Sequence, residues 1–386
     1  MKKIVVLILA VALAVSVFAG CGGTATPSAE ASAETGGDAQ ASVEAGSSAA
    51  QENTPAEGKT FKVAYVNKTL NNPFFVALEA QIKEEVEKRG WQYTSLDAKE
   101  DIAKEQENLE TAVSQKVDAI IMNAVDPEAC VPSIKAAMDA GIPVVCVDTQ
   151  VSEEANPVTT VMSNNYENGY MVGQYVGSEE IFPADEEIIS VLLSGTKGNL
   201  TGQQRRTGVM AGIIAARTGA TADDAKAAAE KMEQELTDNG KAVNEDAKFQ
   251  INGQGWGNWT ADEGLPAMED LLVANKNINL VISENDNMLL GAKTAIDNAG
   301  LTDKVWLAAA ADGQKEAYEE IMKDGSRYLA SGENNPYKVG TKAVEIIDSL
   351  LSGQTDVASY DVITPTEALA VTKENVKEIY NPDSLF

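Results

Sequence analysis

Short β-branched runs alternate with longer amphipathic ones along most of this chain, and this alternation limits its possible folds most strongly. The first series contains the strand-like run 61–66 (FKVAYV), the helical stretch 73–89 and the apolar run 117–122. At residues 158–162 the alternation restarts, and it continues through the run 278–283 (INLVIS). Near-continuous apolar strands separated by helices are typical of parallel sheets covered on both faces. The sequence therefore predicts an α/β protein with two doubly wound, Rossmann-like lobes.

The first 21 residues have the pattern of an export signal. MKK is a short positive start, residues 4–18 form an apolar run, and small residues precede Cys21. The apolar run is shorter than the roughly 20 residues that a membrane-spanning helix needs. The ending FAGC resembles a bacterial lipobox, although Phe18 stands where Leu is usual. This resemblance implies a signal peptide over 1–20 and a lipidated Cys21, and ordinary secretory cleavage near Ala19 is the alternative.

The lipobox resemblance implies an extracytoplasmic protein anchored to the cell membrane, in a periplasm or on the outer face of a Gram-positive membrane. Residues 22–58 are mostly Ala, Ser, Thr, Gly and Glu. Such a segment cannot bury enough apolar surface to offset the entropy of ordering it. The sequence therefore predicts a disordered tether that, with Cys21, occupies residues 21–58.

Charge and composition exclude several classes of function. The net charge is -29, which argues against nucleic acid as a partner because phosphate backbones require basic patches. The chain has no His, so it lacks the usual general base and the commonest zinc ligand. Neither a G-x-G-x-x-G motif after the first strand nor a P-loop motif occurs. Cys130 and Cys146 lie at a helix start and within a strand-like run, so we expect buried thiols rather than a disulfide.

Polar side chains follow the predicted strands in both series. They are Asn123, Asp148, Asn285 and Asp312, together with Arg205 beyond the run 188–193. Ligands of open α/β sheets bind outside the carboxyl ends of the strands. Amide, carboxylate and guanidinium groups form paired hydrogen bonds, which suit the adjacent hydroxyl groups of a sugar. The stretch TLNNPFF adds a helix start at Asn72 and Pro73 followed by two rings, Phe74 and Phe75, of which we expect at least one to stack on a sugar ring.

Each of these residues also has a simpler structural interpretation, since Asn and Asp after a strand commonly cap helices or form turns. Asp286 is predicted to cap the helix 287–299. Arg206 follows Arg205 at the same edge, and its simpler interpretation is a solvated side chain. The two tryptophans of GQGWGNW, Trp256 and Trp259, can serve loop packing. The stretch 219–247 is predicted to be an acidic surface helix without chemistry.

Six stretches in order resemble the periplasmic sugar-binding proteins of ABC transporters, above all the ribose-binding and glucose/galactose-binding proteins. They are TLNNPFF, VDAIIMNAVDPEA, GIPVVCVDT, SNNYENGYMVGQYV, ISENDNMLLGA and AAADG. The resemblance runs from about residue 60 to 375. It implies a monomeric binding protein, not an enzyme, that holds a monosaccharide between two lobes and delivers it to an ABC transporter permease.

The fold that this family implies is the type I periplasmic binding protein fold, with three hinge crossovers. The N-terminal lobe would contain residues 59–163 and 334–363, and the C-terminal lobe residues 164–333 and 364–386. We expect the hinge crossovers near 162–165, 332–335 and 362–366. Closure of the two lobes would then bury the sugar.

Matched residue by residue, the resemblance implies a set of sugar contacts. They are Asn72, Phe74, Phe75, Asn123, Asp148, Arg205, Trp259, Asn285, Asp312 and Asn334, with Glu333 as the alternative at the last position. Ribose-binding proteins have Arg where this chain has Thr149, and the large Trp259 is closer to the glucose/galactose binders, so we expect an aldose other than ribose, a pentose or a hexose. The calcium-loop pattern of glucose/galactose binders is not visible, so we expect neither a metal nor a cofactor.

Three other functions are alternatives to transport. In a carboxylate-pair glycosidase, Asp148 and Asp312 would face one glycosidic bond. The sugar-sensing half of a transcription repressor shares this fold, but the export signal and the lack of a helix-turn-helix segment argue against it. A receptor that presents its sugar to a sensor kinase has no sequence feature that separates it from a transport protein.

Overall fold

The computed structural model describes residues 60–386. The signal peptide, Cys21 and the linker predicted from the sequence lie outside the described residues. Within residues 60–386, no helix is both long enough and apolar enough to cross a membrane.

The α-helices of this part of the chain largely follow the amphipathic runs of the sequence, and most of them begin at a capping side chain. They are α1 (Pro73–Lys88), α2 (Ile102–Ser114), α3 (Val131–Asp139), α4 (Asn165–Val176), α5 (Leu200–Thr218), α6 (Ala222–Asn239), α7 (Ala261–Ala274), α8 (Asp286–Asn298), α9 (Lys315–Met322), α10 (Pro336–Leu351) and α11 (Val376–Ile379).

The strands are mostly the buried β-branched runs. They are β1 (Lys62–Asn67), β2 (Gln92–Asp97), β3 (Ala119–Met122), β4 (Val144–Val147), β5 (Thr159–Ser163), β6 (Ile188–Ser194), β7 (Ala242–Asn244), β8 (Phe249–Trp256), β9 (Leu280–Ser283), β10 (Trp306–Asp312), β11 (Tyr328–Glu333), β12 (Ile363–Thr366) and β13 (Ala370–Thr372).

Two separate sheets form the cores of two lobes, as the sequence predicts. The first sheet has the order β12-β5-β4-β3-β1-β2 and is parallel throughout, and we call the part built on it the first lobe. The second sheet has the order β13-β11-β10-β9-β6-β8-β7, and the part built on it is the second lobe. Only its outer strands β7 and β13 pair antiparallel. Helices cover both faces of each sheet, which explains why the strands are apolar on both sides.

Within the described residues, the chain passes between the two sheets after β5, after β11 and after β12. The third crossover, predicted near 362–366, begins only after Thr366, because β12 pairs with β5 from Ile363 to Thr366. The predicted lobe boundary after residue 363 therefore lies inside this strand. The predicted C-terminal lobe also included residues 364–386, but Phe386 packs in the core of the first lobe.

Helices α4 and α5 pack so closely that only glycine fits along their contact. A Cβ atom at Gly173 would lie 2.2 Å from the carbonyl oxygen of Val209, and one at Gly212 would lie 2.1 Å from that of Tyr170. Gly169 and Gly208 are equally confined. We call these four residues the glycine seam. Because α4 begins directly after the first crossover, the seam fixes α5 to that crossover.

The interior of the first lobe contains two thiols and one unusual carboxyl group. Cys130 and Cys146 are free and buried, which confirms the prediction that they do not pair. Glu105 on α2 is also buried, and its Oε2 accepts a hydrogen bond of 2.5 Å from the backbone nitrogen of Val125. Burial raises the pKa of Glu105 to about 7. Its Oε1 has no hydrogen-bond partner among the described residues.

The substitution Glu105→Gln should stabilise the protein more at pH 8 than at pH 5. The ordinary pKa of this carboxyl is 4.5 and folding raises it to about 7, so the group binds a proton on folding between these values. Its contribution to the free energy of unfolding is therefore fully present below pH 4.5 and is lost as the pH rises through about 7. Gln avoids burying the charge, a gain of up to about 3 kcal/mol at pH 8. Melting temperatures measured at both pH values check this.

The exposed Glu110 on the same helix supplies the control, since Glu110→Gln should change the melting temperature little at either pH. A difference between Glu105→Gln and wild type that stays constant from pH 5 to pH 8 would contradict the assignment.

Candidate ligand-binding site

The guanidinium of Arg205 lies at the centre of the candidate site, where β6, β9 and β10 end. Its Nη1 lies 2.8 Å from Oδ1 of Asp312 and 3.2 Å from the carbonyl oxygen of Glu284, to which it donates a hydrogen bond. Its Nε donates to Oδ1 of Asn165 at 2.9 Å. The residue is 4% exposed. Three elements of the second lobe therefore hold this fork in one orientation.

Trp259 lies beside this fork and is fixed from below by two glycines. The Cζ atom of Arg205 is 5.7 Å from the centre of the indole ring. A Cβ atom at Gly195 would lie 2.0 Å from the ring, and one at Gly202 3.2 Å from it. The ring is partly buried against the core of the second lobe, so loop packing and a platform for a ligand are compatible roles. Trp256 is exposed.

The first lobe contributes Asn123 and Asp148, which follow the adjacent strands β3 and β4. The Nδ2 of Asn123 donates to the carbonyl oxygen of Val147 at 2.9 Å and to Oδ2 of Asp148 at 3.3 Å. Asp148 has a positive φ of 61°, which turns the chain sharply at the sheet edge. Part of its surface remains open, yet burial of the carboxyl raises its pKa, opposed by the positive charges of Arg205 and Lys68. Asp148 of the first lobe and Arg205 of the second thus face the same space.

Asn334 joins the two halves of the site from the second crossover. Its Nδ2 lies 3.5 Å from Oδ1 of Asp312, and a hydrogen bond from its side chain also opposes the rise in the pKa of Asp148. Glu333, the alternative at this position, is instead paired with Lys338 at 2.6 Å and accepts a hydrogen bond from Asn335. The amide of Asn334 is therefore the polar group that lies between the carboxylates of the two lobes.

Two amide oxygens of the site are buried without a hydrogen-bond partner among the described residues: Oδ1 of Asn123 and Oδ1 of Asn334. A buried acceptor without a partner costs roughly 1–3 kcal/mol. Hydroxyl groups of a ligand would satisfy both oxygens at once. This pair of acceptors is a polar feature that strand-end spacing alone does not reveal.

The two rings of TLNNPFF take different positions. Phe74 is 4% exposed and lies in the core of the first lobe, whereas Phe75 is partly exposed in the first turn of α1. Their ring centres are 5.4 Å apart in an edge-to-face arrangement. Asn72 is the cap of α1, because its Oδ1 accepts from the backbone nitrogen of Phe74 at 2.9 Å. Phe75 is thus the ring available to a ligand, with Phe74 behind it.

The N-terminal cap of α8 is Asn285, one residue before the predicted cap Asp286. Asn285 caps α8, since its Oδ1 accepts from the backbone nitrogen of Met288 at 3.0 Å, and its Nδ2 donates to the carbonyl oxygen of Trp259 at 3.2 Å. The prediction that Asp286 is the cap is wrong. Asp286 lies inside the first turn, and its Oδ2 accepts from the backbone nitrogens of Asp312 at 3.1 Å and Gln314 at 2.8 Å.

Asp286 therefore positions Asp312 from beneath the site. Besides these backbone groups, it accepts hydrogen bonds from the hydroxyls of Tyr328 at 2.6 Å and Ser331 at 2.8 Å. Complete burial raises its pKa, and these hydrogen bonds oppose that rise. The carboxylate thus acts inside the protein, holding the turn that carries Asp312.

Arg206 is buried, which rules out the simpler interpretation that its side chain is solvated. Its Nη1 lies 2.8 Å from Oε1 of Glu284, and its Nε donates to Oε2 of Glu233 at 2.7 Å. Glu284 in turn accepts from the backbone nitrogen of Gly195 at 2.8 Å, directly beneath the ring of Trp259. The acidic stretch 219–247 does form a helix, α6, but its Glu233 belongs to this buried network.

Sequence reasoning missed two polar groups of this region, Lys68 and Asn165, and considered Thr149 only as the residue that replaces the Arg of ribose-binding proteins. Lys68 follows β1 and its positive charge acts on Asp148. The hydroxyl of Thr149 lies 3.4 Å from Nδ2 of Asn123, and Asn165 orients Arg205. Lys68 and Asn165 lie just after the ends of β1 and β5, and this position in the sequence could have identified them as candidate site residues. Across residues 60–386, no three His, Cys, Asp or Glu side chains are grouped to hold a metal ion.

Residues 63–355 match the model of the periplasmic binding protein domain. This chain belongs to that family. Membership places it among binding proteins, rather than enzymes, that work outside the cytoplasm. The ribose import binding protein RbsB of Bacillus subtilis (strain 168) is 29% identical to this binding protein over 296 residues, which cover 77% of this chain and 83% of the relative. The D-apiose import binding protein of Actinobacillus succinogenes is 29% identical over 269 residues, or 68% and 74% of the two chains.

Solved structures share the architecture of this binding protein. A periplasmic solute binding protein of an ABC transporter from Actinobacillus succinogenes 130z, with bound D-allose, aligns with a TM-score of 0.68 at 23% identity and covers 83% of this chain and 100% of its own. The myo-inositol binding protein of Caulobacter aligns with a TM-score of 0.65 at 23% identity, over 82% and 95% of the two chains. At these identities the likeness establishes the fold.

The substitution Glu233→Ala should destabilise the binding protein by about 3 kcal/mol. It leaves the buried guanidinium of Arg206 with Glu284 as its remaining carboxylate, and the loss of one partner of a buried ion pair is costly. The exposed Glu230 on the same helix is the matched control, and Glu230→Ala should change the free energy of unfolding by less than about 0.5 kcal/mol. Urea unfolding of the two variants measures the difference, and equal stabilities would contradict the role of Glu233.

Proposed function

We propose that this protein captures a monosaccharide between its two lobes and delivers it to an ABC transporter. The observation that carries this proposal is the convergence at Asn334 of an Asp from each lobe, Asp148 and Asp312, with the fork of Arg205 facing both. Groups from both lobes thus surround one polar space. This arrangement suits a small ligand that presents hydroxyl groups on several sides.

The chemistry of the site favours a neutral ligand over a charged one. The charged side chains around Asp148 are Arg205 and Lys68 with positive charge and Asp312 with negative charge, so the four formal charges cancel. Carboxylates and amide oxygens accept hydrogen bonds from hydroxyl groups, and the guanidinium and amide nitrogens donate to them. Phe75 and Trp259 supply apolar surfaces for the C–H faces of a sugar ring, one from each lobe.

The sizes of one side chain in each lobe bear on which sugar binds. Thr149 is a short neutral residue at the position where ribose-binding proteins have Arg, and Trp259 is a large platform. We therefore propose an aldose other than ribose, a pentose or a hexose. The relatives described above, a ribose and a D-apiose import binding protein, support an aldose as the class of ligand.

Affinity requires that the lobes close over the sugar. Micromolar binding corresponds to about -8.2 kcal/mol, which for a ligand of roughly a dozen heavy atoms is about 0.7 kcal/mol per atom. A wet groove would not reach this value, because water competes for each hydroxyl group. We therefore propose hinge closure about the three crossovers, which requires no change inside either sheet.

The proposed sugar binding is tested by isothermal titration calorimetry across pentoses, hexoses, polyols and inositol. We expect one monosaccharide to bind, and Asp148→Ala and Arg205→Ala each to weaken it roughly 10-fold to 100-fold. The reason is that a hydrogen bond to a charged group contributes roughly 1.5–3 kcal/mol. The exposed variant Glu230→Ala should bind like wild type. Absence of binding to every compound of the panel would overturn the proposal, and equal affinity of all variants would place the site elsewhere.

We also propose that the mature protein is a monomer held on the outer side of the cell membrane through a lipid on Cys21, with residues 22–58 as tether. The support is the FAGC sequence and the apolar run before it. In cell fractionation, the wild-type protein should sediment with membranes. Cys21→Ala should appear in the soluble fraction or remain unprocessed, because it lacks the thiol that is acylated. Processed Cys21→Ala that still sediments with membranes would contradict the anchor.

A further inference from the structure

The segment Tyr380–Phe386 connects the two lobes a fourth time, and we call it the strap. It follows α11, whose Val376 is buried in the core of the second lobe. The hydroxyl of Tyr380 donates to Oε1 of Glu319 on α9 at 2.9 Å. The strap therefore starts firmly on the second lobe.

The middle of the strap is held by both lobes. Lys315, the first residue of α9, donates through Nζ to the carbonyl oxygens of Pro382 and Ser384, the latter at 3.4 Å. From the first lobe, the hydroxyl of Tyr337 on α10 accepts from the backbone nitrogen of Leu385 at 2.8 Å and from Oγ of Ser384 at 3.0 Å. A cavity of about 430 Å³ lies between the strap, α1 and α9.

The far end of the strap is buried in the first lobe. Phe386 is 7% exposed and lies in the apolar cluster that contains Phe74. Its ring is 5.4 Å from that of Phe74, edge to face, and Phe74 meets Phe75 in the same way at 5.4 Å. Edge-to-face pairs contribute roughly 0.5–1.5 kcal/mol beyond their burial. A continuous row of three rings thus leads from the strap to the candidate platform.

We propose that the strap is a non-covalent restraint on the angle between the lobes and that Phe386 is a positioning residue for Phe75. When the lobes rotate apart, the backbone crossovers can bend, but the strap must either move Phe386 within the core of the first lobe or stretch its contacts with Tyr337. Rotation away from this structure, in which the charge of Arg205 in one lobe acts on Asp148 in the other, is therefore opposed. Because a sugar held between the lobes needs them near each other, the restraint lowers the conformational cost of binding and appears as higher affinity for the ligand.

The restraint is tested by measuring the distance between the lobes in the full chain without any ligand. Double electron–electron resonance measures this distance between spin labels on Glu110→Cys and Glu269→Cys, two exposed positions on α2 and α7. Phe386→Ala should shift the distribution to longer distances and broaden it. The neighbouring Leu385 is 61% exposed, so Leu385→Ala removes an apolar side chain of the strap without emptying a core and should keep the wild-type distribution.

A variant that spares the core guards against loss of folding. Tyr337→Phe keeps the ring and removes only the hydroxyl that accepts from the strap, and it should give a smaller shift of the same sign. A distribution for Phe386→Ala and Tyr337→Phe equal to that of Leu385→Ala overturns the restraint. A fall in melting temperature with no change of distance does so too, since Phe386 would then only stabilise the first lobe.

The affinity part of the inference rests on the proposed sugar binding and is tested separately. With the sugar found by calorimetry, Phe386→Ala should weaken binding about 3-fold to 10-fold, and Leu385→Ala should not. If no sugar binds wild type but the distances shift as expected, the proposed function fails and the restraint stands. If wild type binds sugar and Phe386→Ala binds equally well, the positioning role of Phe386 is overturned.

Discussion

The buried guanidinium of Arg205 is the interaction on which the rest of the site depends. A charge removed from water needs partners at every donor, because an unpaired buried charge is very costly. Asp312 and the carbonyl of Glu284 are partners of its Nη1 and Asn165 is the partner of its Nε, and they come from β10, the turn after β9 and α4. The side chain of Arg205 thus contacts three elements of the second lobe, and the ring of Trp259 lies beside its guanidinium.

Buried charged groups also stabilise the part of the second lobe beneath the candidate site. The buried carboxylate of Asp286 accepts hydrogen bonds from the backbone nitrogens of the turn that carries Asp312. Glu284 does the same for the turn at Gly195 beneath Trp259, and it is balanced by Arg206 and Glu233. In the second lobe, buried carboxylates therefore hold both the turn that carries Asp312 and the turn beneath Trp259. The amide oxygens of Asn123 in the first lobe and Asn334 in the second crossover have no hydrogen-bond partner among residues 60–386, so this side of the candidate site depends more on a ligand for its hydrogen bonds.

The architecture follows from sequence periodicity, because parallel strands buried on both faces must be apolar throughout, and few other folds use such runs. The strand ends also indicate where the site lies, since Asp148, Arg205 and Asp312 do converge. What the sequence does not contain is side-chain direction. Whether Asn285 or Asp286 is the cap changes with a shift of one residue. Whether Arg206 is solvated depends on Glu233, 27 residues away on another helix.

Contacts between residues that are far apart in the sequence are the other feature of the structure that local sequence patterns do not encode. Two adjacent rings at a helix start are explained by the burial of Phe74, but its partner Phe386 lies more than 300 residues further along the chain. The predicted third crossover overlaps the end of β12, because pairing with β5 extends this strand to Thr366. Such pairing is a property of the assembled sheet.

The glycine seam limits how this protein can change its ligand over evolution or by engineering. With the backbones of α4 and α5 in direct contact, α5 has no room to slide or rotate, so Arg205 is a fixed point that selection cannot easily move. New preferences are more accessible on the opposite wall, where Lys68 and Thr149 project from loops rather than from a confined helix. A library that varies these two loop positions and keeps the seam intact would explore different ligands on an unchanged anchor.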